Sequence, residues 1–378
     1  MNFSSFGFDP RIATAIAAAG YETPTPIQEK TIPATLAGKD VLGLAQTGTG
    51  KTAAFALPIF QRLLGGERCV VRALVISPTR ELAEQTHQAF EMLGKDTGFR
   101  SMSMYGGVTV KSQVKTLKGR MPEIIVACPG RLLDLMGQGF VDLRSVETLV
   151  LDEADQMFDM GFMPSIKKII AALPRAHQTL LFSATLPQEI RTLAKQYQRD
   201  PVRVEIGNSK PVETVSHYVS SMGQNDKYDA LRAVLVDDWG SNGPGGQTLV
   251  FTRTKHRAKR LAQQLANSGF SATSLQGNLS QGQREKAMAN FRSGRAAIMV
   301  ATDIAARGID ITKISRVINF DIPDTPEAYT HRIGRTGRME RKGVALTFVT
   351  PEDSSTLRQI ERFIGAPIER MSLPAVGE

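Results

Sequence analysis

The densest run of chemically capable residues is Ala45-Gln46-Thr47-Gly48-Thr49-Gly50-Lys51-Thr52. A phosphate chain needs several backbone N–H donors converging on it, and only glycine-rich turns let the backbone come that close. A helix starting at the end of such a turn adds a favourable dipole. At this spacing Lys51 can reach the β- and γ-phosphates of a nucleotide, and the Thr52 hydroxyl can ligate Mg2+. Ala45 stands where the usual pattern begins with glycine. Further along, Asp152-Glu153-Ala154-Asp155 directly follows the apolar run Thr148–Leu151. A carboxylate at a strand end can hold Mg2+ opposite Thr52, which assigns the metal to Asp152, while Glu153 can position and deprotonate a water. A lone glycine-rich turn or a lone acidic tetrapeptide is weak evidence, since both are common on surfaces. The two together, each after a buried strand, point to hydrolysis of a nucleoside triphosphate.

Such groups must be carried by something rigid. Short apolar runs alternate with helical stretches along the chain. The runs Asp40–Ala45, Arg72–Ser77, Glu123–Ala127, Thr148–Leu151 and Thr179–Phe182 read as buried strands, and Glu81–Leu93 and Gln188–Tyr197 as helices between them. The plan returns with Gln247–Phe251, Ala296–Val300, Arg316–Phe320 and Val344–Val349. This alternation predicts an α/β protein with mostly parallel sheets and helices on both faces. Glu205–Glu213 is polar, aperiodic and contains Gly and Pro, so the chain divides into 1–205, a linker 206–213 and 214–378. The glycine-rich stretch Asp237–Gln247 reads as a loop with no assigned role. The halves look like structural repeats too diverged to prove by identity.

Composition narrows the setting. Hydrophobic residues make up 42% of the 378, enough for sizeable cores. No apolar run is long enough to span a bilayer, and the N-terminus lacks the features of a secretory signal. Cys69 and Cys128 form no metal-type or redox-type pair, so reduced thiols in the cytoplasm are expected. The net charge of +9 permits nucleic acid as a partner without proving it.

With the phosphate loop and the acidic motif in place, the chain resembles a DEAD-box RNA helicase core across nearly its whole length. The resemblance implies two RecA-like domains facing across a cleft, with ATP and Mg2+ as cofactors and RNA as partner. Its remaining motifs match in order. Gly20–Gln28, with Phe3 upstream, resembles the family's adenine-recognising segment; Gln28 would pair with adenine N6 and N7, and Tyr21 would stack on the base. Gln46, Thr47, Gly48, Thr49, Gly50, Lys51 and Thr52 would hold the phosphates. Pro78-Thr79-Arg80, Gly106-Gly107 and Pro129-Gly130-Arg131 match the RNA-facing motifs of the first domain. Cys128 stands where threonine is usual, which puts one hydroxyl contact in doubt. Asp155, Ser183 and Thr185 would couple hydrolysis to strand separation, although short hydroxyl side chains also cap helices.

In the second half, Leu249–Lys255 includes Arg253, and Gln276–Arg284 includes Gln281 and Arg284; both resemble RNA-facing segments. Gln276 stands where histidine is frequent. The run Ala301–Asp310 implies Thr302 on the RNA backbone, Gly308 near the nucleotide and Asp310 on the ribose. Finally, His331-Arg332-Ile-Gly-Arg335-Thr-Gly-Arg338 implies arginine fingers at Arg335 and Arg338, with His331 and Arg332 in coupling. Spacing alone puts the three arginines on one helix face, but the two glycines argue for a broken helix.

The expected mechanism is closure of the two domains by ATP and RNA, followed by local separation of a short duplex. Binding would be independent of sequence, with 2′-OH contacts selecting RNA. The alternatives are an ATP-gated RNA clamp, which shares the same residues, a DNA helicase, which the motifs disfavour, and an inactive homologue, which the filled catalytic positions disfavour. A monomer is expected, and segments such as LVFTRTK resemble the bacterial RhlE-like branch.

Overall fold

The computed structural model describes residues 2–46, 48–206, 215–236, 246–306, 314–336 and 343–372. Thr47, Gly308, Asp310, Arg338 and most of the expected linker lie outside the described residues, as does the side chain of Gln281. The chain forms two compact units, Met1–Gly207 and Asn208–Glu378.

In the first unit the strands are β1 (Val41–Leu44), β2 (Ala73–Ile76), β3 (Ser101–Met104), β4 (Ile124–Ala127), β5 (Thr148–Leu151), β6 (Gln178–Ser183) and β7 (Val202–Glu205). They form one parallel sheet in the order β3-β4-β2-β5-β6-β1-β7. The central strands are buried at every position and mostly apolar, because both faces are covered. Val41, Val75, Val126 and Phe182 enter one core, while Leu42, Ile76, Ala127 and Leu181 enter the other. The second unit has β8 (Val215–Ser221), β9 (Gln247–Phe251), β10 (Ala272–Leu275), β11 (Ile298–Ala301), β12 (Ile314–Asn319), β13 (Gly343–Val349) and β14 (Glu369–Arg370). Their order is β10-β11-β9-β12-β13-β8-β14. Subtracting seven from each label reproduces the first sheet, so the two units are topological repeats.

The expected central strands are all present, within a residue or two at their ends. The strands that sequence reading passed over are β3, β7, β8, β10 and β14. Most lie at or next to sheet edges, where burial is partial, as the exposure of Arg203 and Glu205 in β7 illustrates. Their polar residues break the apolar run that marks a central strand.

Gly43 lies in β1, just before the phosphate loop, in register with Phe182 of β6. A Cβ there would sit 2.6 Å from the Phe182 ring, which is itself packed 5.6 Å from Phe55. Gly43→Ala is therefore expected to destabilise the first unit by about 1–3 kcal/mol. Urea unfolding should show this as a lower midpoint at unchanged slope; an unaltered midpoint would mean the ring has room to move.

Candidate functional site

Parallel sheets bind ligands beyond the carboxyl ends of their strands. The residues singled out in the first half cluster there. β1 runs into the glycine-rich turn, and Lys51 is the first residue of the helix Lys51–Leu63, with Thr52 second. Gly48 and Gly50 take φ of +87° and +93°, values that a side chain would strain. At Gly50 the fit is also steric, since a Cβ would lie 2.5 Å from the Gln28 amide nitrogen. Thr49 closes the turn by donating its hydroxyl to the Gln46 carbonyl at 2.8 Å.

The Lys51 ammonium is buried, donating to the Ala45 carbonyl at 3.1 Å and to Glu153 Oε1 at 2.9 Å. Burial pushes its pKa down, but the Glu153, Asp152 and Asp155 carboxylates outweigh that and hold it above the usual lysine value. Glu153 Oε2 accepts from Gln156 Nε2 at 3.0 Å, so both carboxylate oxygens are fixed. The Glu153 backbone is left-handed, with φ +54° and ψ 53°. A non-glycine residue seldom takes this conformation, which costs on the order of 1–3 kcal/mol and collects at functional sites.

Asp152 is buried at the end of β5, and burial raises its pKa to about 7; Lys51 opposes the shift and Glu153 adds to it. Its Oδ1 is buried with no hydrogen-bond partner. An orphaned carboxylate oxygen is costly in isolation and fits a hard cation such as Mg2+. Asp152 and Thr52 thus offer the oxygen chemistry that Mg2+ needs.

The expected coupling residues of the first unit do meet. Asp155 Oδ2 accepts from both the Thr185 backbone N–H at 2.8 Å and its hydroxyl at 2.9 Å. The Asp155 backbone N–H donates to Ser183 Oγ at 3.2 Å. Ser183 and Thr185 therefore tie the end of β6 to the acidic motif.

Gln28 is buried, accepting from the Thr25 N–H at 2.9 Å and donating to the Gly50 carbonyl at 3.1 Å. Its amide keeps a second N–H and a second lone pair, which suffices for an adenine edge. Phe3 is buried and stacks on Tyr21, with centroids 6.1 Å apart.

The RNA-facing candidates of the first unit share a second patch. Pro78 is buried, and Arg80 opens the helix Arg80–Leu93, with its guanidinium against Gly106 and Gly107. Gly107 and Gly130 are exposed. Arg131 is engaged within the protein, donating to Gln113 Oε1 at 2.6 Å and to the Val108 carbonyl. Cys128 caps the helix Pro129–Gly137 without a side-chain hydrogen bond, and burial pushes its thiol up to about 12.

In the second unit, Arg253 is half exposed and lies 3.3 Å from Asp324. Arg284 is mostly buried and donates to the Gln276 carbonyl at 3.3 Å. Thr302 is half-buried at the end of β11. Arg332 is buried and forked onto Asp303 at 2.6 and 2.7 Å, with further bonds to Asn319 Oδ1 and the Asp321 carbonyl. The helix carrying His331 and Arg332, Pro326–Ile333, ends before Arg335. The arginines at positions 332 and 335 therefore do not share a helix face, as the glycines had suggested.

Gln156, Gln113, Asp303 and Asp321 were not singled out from sequence. Gln113, Asp303 and Asp321 act through partners distant in the chain, Gln156 acts on Glu153 three residues before it, and only Asp303 lies inside a matched motif.

Two family models match the chain, a DEAD/DEAH box helicase model over residues 25–193 and a helicase conserved C-terminal domain model over residues 226–340. A relative from Limosilactobacillus reuteri, the ATP-dependent RNA helicase CshA, is 45% identical over 96% of this chain and 72% of its own length. The CshA helicase of Geobacillus kaustophilus is 42% identical over 100% of this chain and 79% of its own. Among solved structures, S. cerevisiae Dbp5 bound to RNA and ADP BeF3 is 32% identical, with a TM-score of 0.87 over 98% of this chain and 95% of that one. Mss116 bound to ssRNA and UDP-BeF is 26% identical, with a TM-score of 0.88 over 99% and 80%. The expected RhlE-like branch finds no support, because these bacterial relatives are of the CshA type, a different branch. The segment LVFTRTK was too short a basis for a choice of branch.

The raised Asp152 pKa has a stability consequence. Its folded value near 7 exceeds the unfolded carboxylate value, so the folded state holds a proton that the unfolded state releases. The contribution of Asp152 to stability should fall as pH rises from about 4 to 7, with its full penalty applying above that. Asp152→Asn removes the penalty. Without nucleotide or Mg2+, the variant should gain on wild type between pH 5 and pH 8, on the order of 2 kcal/mol. Thermal unfolding across that range checks this, and a difference independent of pH would show that Asp152 ionises at no cost.

Proposed function

The chain belongs to the DEAD-box family of ATP-dependent RNA helicases, and from that premise we propose that it hydrolyses ATP at Lys51, Asp152 and Glu153 and couples this to local separation of RNA strands. The observation that carries the assignment is the buried Lys51–Glu153 pair beside a left-handed Glu153, at the carboxyl ends of β1 and β5. Lys51 and the N–H groups of the glycine-rich turn would bind the phosphates, while Gln28 would select adenine and Tyr21 and Phe3 would flank the base. Asp152 and Thr52 would hold Mg2+, which neutralises developing phosphate charge when bound. Glu153 is aimed by Lys51 and Gln156, so it can orient a water and accept its proton.

The second unit would complete the site with Arg335 and Arg338, together with Gly308 and Asp310 on the nucleotide. An arginine finger contributes roughly 10³–10⁵ in rate. Because the groups are divided between two units, neither half alone should turn over ATP well, and joint binding of ATP and RNA would bring them together. RNA would run over Pro78, Arg80, Gly107 and Gly130 in the first unit and Arg253, Gln281, Arg284 and Thr302 in the second. Backbone contacts make this binding independent of sequence, and the 2′-OH distinguishes RNA from DNA. Asp155, Ser183 and Thr185, which are linked by hydrogen bonds through Asp155, would pass the state of the nucleotide to the end of β6. We further propose a monomer acting in the cytoplasm; no helix among the described residues is long and apolar enough to cross a membrane.

ATP hydrolysis should be slow alone, strongly stimulated by single-stranded RNA, and little stimulated by DNA of the same sequence at equal salt. Glu153→Gln should lower the stimulated rate by about 10²-fold or more. Equal stimulation by DNA would sink the RNA-selective reading. Stimulation without unwinding of a short duplex would point to an ATP-gated clamp instead.

A further inference from the structure

The loop from Tyr105 to Val108 carries Gly106 and Gly107 and is gripped by side chains from three helices. At its start, the Tyr105 hydroxyl donates to Glu84 Oε2 at 3.1 Å, on the helix that Arg80 opens. Ser103 donates to the same oxygen at 2.9 Å. The Tyr105 carbonyl accepts from the Gln113 side-chain amide at 3.4 Å. At the loop's end, the Val108 carbonyl accepts twice from Arg131, at 3.3 and 3.2 Å. The two ends are joined through one residue, because Gln113 Oε1 accepts from Arg131 at 2.6 Å. Between them Gly107 takes φ +91° against the Arg80 guanidinium, so close that a Cβ would collide with it.

Taking this loop as an RNA contact, and therefore resting on the reading above, we propose that Gln113 is a positioning residue that fixes the RNA-facing loop by bridging Arg131 to Tyr105. Gln113 is only 5% exposed, too deep to touch RNA itself. Its short bond to a guanidinium is charge-assisted, the stronger class of hydrogen bond. That bond aims Arg131 at Val108, so Arg131 serves to shape the loop for RNA. Without Gln113 the guanidinium would lose its closest acceptor, and the loop would lose a hold at both ends. The glycine backbone would then have to be ordered by RNA on binding, at a cost in affinity and not in the chemical step.

The test compares three variants of the two-unit chain, with thermal unfolding of each as a folding control. Gln113→Leu should raise the RNA concentration for half-maximal ATPase about tenfold, roughly one charged hydrogen bond, while the rate at saturating RNA stays within about twofold. Gln113→Glu keeps the acceptor that Arg131 needs but loses the donor to the Tyr105 carbonyl, and should restore part of the affinity. Gly107→Ala disrupts the loop directly and should weaken RNA binding whatever Gln113 does. Weakened binding in Gly107→Ala with unchanged half-saturation in Gln113→Leu would overturn the positioning role. So would a loss in Gln113→Leu that Gln113→Glu fails to repair. Unchanged RNA binding in Gly107→Ala would instead overturn the RNA-facing reading of the loop.

Discussion

A lysine ammonium and a glutamate carboxylate 2.9 Å apart, both nearly sealed from water, set the terms for the first unit. Desolvating such a pair is expensive, and removing either partner strands a buried charge at a cost of about 3–5 kcal/mol. The surrounding structure follows from keeping both charges satisfied. Gly50 must be glycine so that the turn can deliver Lys51 under the Gln28 amide. The Ala45 carbonyl takes a second proton of the ammonium, and Gln156 takes the second oxygen of the carboxylate. Glu153 reaches Lys51 from a left-handed backbone, whose strain the rest of the cluster offsets. A phosphate chain entering the turn would give Lys51 a new anionic partner and leave Glu153 oriented by Gln156.

The repeated topology supplies an internal comparison. β8 occupies the place of β1, and β12 the place of β5. The helix after β8 begins with a buried lysine, Lys227, as the helix after β1 begins with Lys51. Asp321 follows β12 as Asp152 follows β5, and it lies 3.9 Å from the Lys227 ammonium. The electrostatic outcomes are opposite. Lys51 is held above the usual lysine pKa, whereas burial lowers Lys227, with Asp321 and Asp353 opposing and Arg257 and Arg253 adding to the fall. Asp321 is already shared, accepting from Arg257 at 2.7 Å and from the Arg253 backbone at 2.9 Å. The stretch 222–226 that leads into Lys227 also lacks the glycine spacing that would present backbone N–H groups to phosphate. The second unit thus keeps the lysine and the acid but closes them into a structural centre that anchors Arg253.

What the sequence made legible was whatever is local. The phosphate loop, the acidic motif and the central strands are each encoded within about ten neighbouring residues, where steric and periodic rules act. The edge strands were illegible because their partial burial erases the apolar run. Partners distant in the chain were illegible for a different reason. Gln113 looks like an ordinary polar residue of a solvated helix until the fold buries it against the Arg131 guanidinium. Cys128 shows an intermediate case. The missing hydroxyl was visible in the sequence, and the structure locates it at a helix N-cap that goes without its side-chain bond.

Charge in a motif says little about what the charge faces, and Arg332 and Arg335 make the point. Three residues apart in one basic segment, they read alike in sequence. Arg332 sits in the last turn of its helix, forked onto Asp303, bonded to Asn319 and the Asp321 carbonyl, and 5.0 Å over the Phe251 ring. Those partners follow or end β9, β11 and β12, so one side chain holds together the strand ends that bear Arg253 and Thr302. Four of its five N–H donors go to these partners, so turning the guanidinium towards a nucleotide would loosen the strand ends it ties together. Gly334 then ends the helix, so Arg335 follows a different backbone path, although its side chain is buried as well. Within this segment, then, the break at glycine is what gives two buried arginines, three residues apart, different surroundings.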